Sequence, residues 1–133
     1  MKYNKSQTNE NVTFYNENHE QRYRAILKRM QNSDCYHRSA AYLMALAQLL
    51  PDDVFDFEND CIKPEGLDCS WQTTSSQRAT RLMFNLWNEY VYEGKNAKAN
   101  AIVSPLYAVH NIFCDSEYAP YFFNAICIRF EWN

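Results

Sequence analysis

Cys35 and His37 stand two residues apart, and Cys61 and Cys69 follow in a polar stretch. Three thiolates and one imidazole are a familiar tetrahedral zinc set. Such a site would be structural, because four protein donors leave no open coordination position, and zinc would pin a segment with few apolar residues of its own. The C-x-H and C-x7-C spacings are looser than paired C-x2-C motifs. The competing reading is therefore three ordinary small thiols and a histidine at a helix end. His19 or Cys114 can replace one of the four donors. Cys114 and Cys127 lie in the apolar runs NIFC and AICIRF, where cysteine behaves as a small hydrophobe, and both are expected in the core.

The chain has three histidines, His19, His37 and His110, as candidate bases. A nucleophile–base pair needs a hydroxyl or thiol within hydrogen-bond reach, and no local signature singles one out. No catalytic residue is assigned, and histidines hydrogen-bonded at helix ends or in the core are the simpler reading. The adjacent carboxylates Asp52 and Asp53 are expected to be solvated. A small metal- or thiol-dependent enzyme built on His37 with Cys35 or Cys69 stays open as the alternative to a binding protein. There are only two glycines, Gly66 and Gly94, so loops of the GxGxxG or GxxxxGK[ST] kind, which need backbone approached without a Cβ, are excluded.

Charge is distributed unevenly. Asp52, Asp53, Asp56, Glu58, Asp60, Glu65 and Asp68 face Lys63 alone between residues 52 and 69, although the whole chain carries only −3. With Phe55, Phe57 and Trp71 interleaved, this stretch reads as a docking surface for a protein with a basic face, charge steering the encounter and aromatics anchoring it. The expected contacts are Asp52, Asp53, Phe55, Asp56, Phe57, Glu58 and Asp60. A solvated acidic loop serving solubility is the competing reading. The sequence pI near 5.6 argues against direct DNA or RNA binding. No run of eighteen apolar residues occurs, and the polar amino terminus has no apolar segment ahead of a cleavage site. With five cysteines in no disulfide framework, a reducing cytoplasm is expected.

The elements that must position these groups are mainly α: one domain of four to five helices over residues 12–133, with a long irregular loop and room for a short strand or two, after a loose arm at residues 1–11. An extended stretch covers Val12 to Tyr15. Asn18 with Gln21 suggests a capping box for a helix over 18–31, in which Tyr23, Ile26, Leu27 and Met30 form one face. Ser33 or Asp34 caps a second helix, apolar on nearly every side, that Pro51 ends. Residues 51–74 have no period, and something must hold them. Ser75 or Ser76 caps a third helix near 76–93, with Gly94 at its end. KNAKAN reads as a surface loop. Asp115 or Ser116 with Pro120 begins a last helix, although Ile126, Ile128 and Phe130 alternate as in a strand.

The stretches HEQRYRAIL, SDCYHRSAAYLMAL, FDFENDCIKPEGL, WQTTSSQRATRLMFNLWNEY and CDSEYAPYFFNAICIRF together resemble a family of small proteins found in phages and integrative elements of Firmicutes. The resemblance spans residues 12–130 and brings no catalytic residues with it. It implies a mobile-element setting, inside a host cytoplasm. Small acidic proteins of such elements resemble inhibitors of host defence, including anti-CRISPR inhibitors of type II nucleases, some of them helical, zinc-containing or nucleic-acid mimics. By analogy with those inhibitors, the expected function is a non-enzymatic inhibitor whose protein partner is a CRISPR nuclease. The modest net charge favours local docking through residues 52–69 over mimicry by the whole surface. An accessory subunit of a mobile-element complex is a further alternative.

Overall fold

A computed structural model describes residues 12–93 and 102–132. The expected arm at residues 1–11, Gly94 and the KNAKAN loop lie outside the described residues. The fold is mainly helical, in the order α1 (Glu17–Arg29), α2 (Cys35–Leu46), α3 (Pro51–Val54), β1 (Phe55–Asp56), β2 (Cys61–Ile62), a 3-10 turn (Pro64–Asp68), α4 (Thr74–Asn88), a second 3-10 turn (Pro105–Tyr107), α5 (Val109–Phe113) and α6 (Ala119–Phe130). Among the described residues no helix is long and apolar enough to cross a membrane.

α2 is the centre because it is apolar all round. Every residue from Ala40 to Leu46 is buried, and α1, α4 and α6 each pack against it. α1 contributes Tyr23 and Ile26, with Leu27 and Met30 at the margin, which is the face expected from their spacing. The extended residues ahead of α1 join this core through Phe14, whose ring lies against His19, Tyr23 and Tyr42. α6 settles the ambiguity of the last segment: Ile126, Ile128 and Phe130 are on a helix, and Phe122, Ala125 and Ile128 are its buried side.

The helix ends differ from expectation in instructive ways. Asn16, not Asn18, caps α1 and accepts from the His19 amide at 2.8 Å. Thr73, not Ser75 or Ser76, caps α4, because Ser76 at the third position closes a reciprocal capping box with it. α2 ends at Leu46, ahead of Pro51, and Pro51 instead opens α3, where its fixed φ and missing N–H are tolerated. α6 starts without a side-chain cap, behind Tyr118, with Pro120 in its first turn.

Candidate functional site

The acidic stretch is folded. After α3, β1 and β2 form an antiparallel hairpin with Phe55 opposite Ile62 and Asp56 opposite Cys61. The Asp56 carboxylate accepts from the amides of Glu58 at 3.1 Å and Asn59 at 3.0 Å and from Asn59 Nδ2 at 2.8 Å, which closes the turn. These bonds hold the Asp56 carboxyl below its ordinary range. Asp60 ends the turn at φ 57°, a left-handed conformation that aspartate tolerates better than most residues.

Three residues, from the end of α1, the following turn and the start of α2, strap this hairpin down. Arg29 pairs with Asp52 and lies 4.0 Å above the Phe57 ring. Gln31 Nε2 donates to the carbonyls of Phe57 and Glu58 at 3.1 and 2.7 Å. His37, which is 5% exposed, bridges from α2: Nδ1 lies 2.7 Å from Asp34 Oδ1 and Nε2 lies 2.8 Å from Asp60 Oδ1. Ionised carboxylates only accept, so both contacts are hydrogen bonds only when the ring carries both protons. Burial opposes that charge, but the two carboxylates outweigh it and raise the His37 pKa. Burial likewise opposes ionisation of Asp34, and the hydrogen bonds from His37 overcome it and lower the Asp34 pKa. The Trp87 indole stands edge-on to His37 at 4.8 Å and to Phe55 at 5.0 Å, closing the space behind the bridge.

From the hairpin's other side, Lys63 Nζ donates to the Asp52 carbonyl at 2.9 Å and Trp71 Nε1 to Asp53 Oδ2 at 2.8 Å. Asp52, expected to be solvated, is exposed although it pairs with Arg29, whereas Asp53 is half-buried against Trp71. Of the residues singled out for docking, Phe55 is buried and Phe57 half-buried beneath Arg29, so both aromatics brace the hairpin from within. Asp56 and Asp60 hold the turn and the bridge. Glu58 is exposed at the tip, and Glu65 is exposed on the following 3-10 turn.

Cys35 begins α2 half-buried, Cys61 is exposed on β2, and Cys69 follows the 3-10 turn half-buried. Among the described residues no group of three or more His, Cys, Asp or Glu stands close enough to hold a metal ion. The desolvation that Cys61 does experience, then the charges of Asp56, Asp60 and Glu65, push its thiol up; Cys69 is raised by burial and by Asp53. Both effects favour the protonated thiol over the thiolate that metal binding and nucleophilic attack require. Cys114 and Cys127, expected in the core, are half-buried.

His19 is 2% exposed, and its environment is the reverse of that around His37. The Tyr15 amide donates to Nδ1 at 3.0 Å, so Nδ1 is unprotonated, and Nε2–H donates to the Tyr42 carbonyl at 3.0 Å. Burial holds this neutral ring below its ordinary pKa. His110 is exposed on α5. Arg29, Gln31, Asp34 and Trp87 were not among the expected site residues. Only Asp34 carried a sequence signal, as a possible cap of α2, because the other three act across elements.

No curated protein and no solved structure matches this chain. A family model matches residues 9–133, and the chain belongs to that family, a family of unknown function (DUF6075).

Proposed function

We propose that the chain is a non-enzymatic binding protein of a phage or integrative element, which inhibits a host defence nuclease of the type II CRISPR kind by direct protein contact. The observation that carries this reading is the acidic hairpin, fixed by Arg29, Gln31 and His37 so that Glu58 and Glu65 project from an ordered frame. An ordered surface loses less conformational freedom on binding than a loose loop of the same charge. Such nucleases hold guide and target in a positively charged channel, where fixed carboxylates can compete with phosphates. The resemblance to phage and integrative-element proteins supports the setting. The engagement of both ring nitrogens of His19 and of His37 favours binding over general-base chemistry.

The test is a titration of the purified protein into a Firmicute type II CRISPR nuclease, added before or after guide and target loading, with DNA cleavage as the readout. Inhibition near one-to-one stoichiometry that depends on the order of addition is expected. Absence of inhibition across several such nucleases would remove the nuclease as partner. A second reading, an accessory subunit of a mobile-element complex, is favoured by Ile102, Val103 and Val109, which are 70%, 60% and 74% exposed. Concentration-dependent self-association in sedimentation would support it.

A further inference from the structure

Beyond the hairpin, an open groove of about 400 Å³ lies where three helix ends meet: the first turn of α2 gives Tyr36, the last turn of α4 gives Leu86 and Trp87 with Glu89 beyond, and the last turn of α6 gives Arg129 and Phe130. Arg129 is held in one orientation. Its Nε donates to the Leu86 carbonyl at 2.8 Å, and its guanidinium carbon lies 3.6 Å above the Tyr36 ring and 4.8 Å from that of Phe130. Among the described residues this is its only hydrogen bond and no carboxylate pairs with it, although Glu89 lines the same groove. The edge formed by the two terminal nitrogens therefore remains as a fork for one planar anion.

The geometry points to a docking groove for a carboxylate side chain, glutamate or aspartate, of a protein partner. Tyr36 and Phe130, 40% and 48% exposed, supply apolar walls for the stem of that side chain, and arginine beside aromatics is the composition of interface hot spots. The negative ends of α4 and α6 together with Glu89 offset the positive end of α2, which leaves one guanidinium in the groove to balance one carboxylate rather than a doubly charged phosphate. The groove abuts the hairpin through Trp87, whose ring also faces His37 and Phe55. A partner reaching both would meet acidic and basic contacts side by side, which fixes orientation.

The full chain, isotope-labelled, is titrated with the blocked tripeptide Ac-Ala-Glu-Ala-amide and its glutamine counterpart, following the Trp87 indole N–H and the Arg129 Nε–H by NMR. Saturable shifts are expected with the glutamate peptide, and binding about tenfold or more weaker with the glutamine peptide, from loss of a charge-assisted pair. Arg129→Lys keeps the charge without the fork and is expected to lose most of that preference. Equal binding of the two peptides, an unchanged preference in Arg129→Lys, or tighter binding of a phosphoserine peptide or of a free peptide C-terminus would each overturn the assignment. None of these readouts uses a nuclease.

Discussion

His19 and His37 are both buried and both hydrogen-bonded at each ring nitrogen, yet their partners set opposite charge states. Backbone groups, one donor and one acceptor, fix His19 as a neutral ring; two acceptors require His37 to be an imidazolium. Their contributions to stability therefore oppose one another in pH. The raised pKa of His37 gives stability fully present below its unfolded value of 6.5 and lost as pH rises through the folded value. The lowered pKa of His19 gives stability present above 6.5 and lost as pH falls through its folded value. Imidazole NMR is expected to show His37 with two N–H protons at pH 6.5 and His19 with one, on Nε2. A His37→Gln variant is expected to lose about 1–3 kcal/mol, the range for hydrogen bonds to charged groups with allowance for the partly exposed carboxylates. Denaturation across pH should show that deficit shrinking as pH rises through the His37 value, and a deficit independent of pH would contradict the imidazolium. His37 stood out in the sequence as a site residue, but beside thiols. Asp60 stood out only as an acidic docking residue, and its pairing with His37 was not legible, because a turn residue 23 positions away meets it only once the hairpin has formed.

At the scale of elements, the four longer helices were legible, and the short helices α3 and α5 and the hairpin were not. α1 and α4 repeat apolar residues at helical spacing and α2 is a continuous apolar run, and these patterns survive errors at the ends. The ends depended on which of several Asn, Ser or Thr residues closed a hydrogen bond, which composition does not decide. Thr73→Ala is expected to cost about 1 kcal/mol through loss of the capping box, measurable by chemical denaturation. Residues 51–74 carry no period because they are held by side chains that donate to carbonyls: Gln31 to Phe57 and Glu58, Lys63 to Asp52, Gln72 to Gly66, and Gln77 to Leu67. Gly66 belongs to this frame. A Cβ there would run into the Asp53 carbonyl and the Val54 side chain. Gly66→Ala is therefore expected to destabilise by about 1–3 kcal/mol, as overpacking does, with the hairpin amides of residues 55–62 losing exchange protection first.

For the molecule as a whole, a helical core around α2 carries two contrasting surfaces: an acidic hairpin at one end of α2 and, joined to it by Trp87, a groove with one oriented guanidinium. The acidic character was legible from the charges between residues 52 and 69, whereas the groove was not, because Tyr36, Leu86 and Arg129 come together only when α2, α4 and α6 pack. The hairpin's rigidity allows its charge to be separated from its fold. Asp56 and Asp60 support the structure, while Glu58 and Glu65 are exposed and suited to charge reversal. The most direct measurement compares the chain with its Glu58→Lys/Glu65→Lys variant in the nuclease cleavage titration, with matched amide spectra as the check on folding. Inhibition weakened by about tenfold or more, with the difference narrowing as salt is raised, is expected if fixed carboxylates make the contact. Inhibition of equal strength by both proteins would contradict the acidic hairpin as the docking surface.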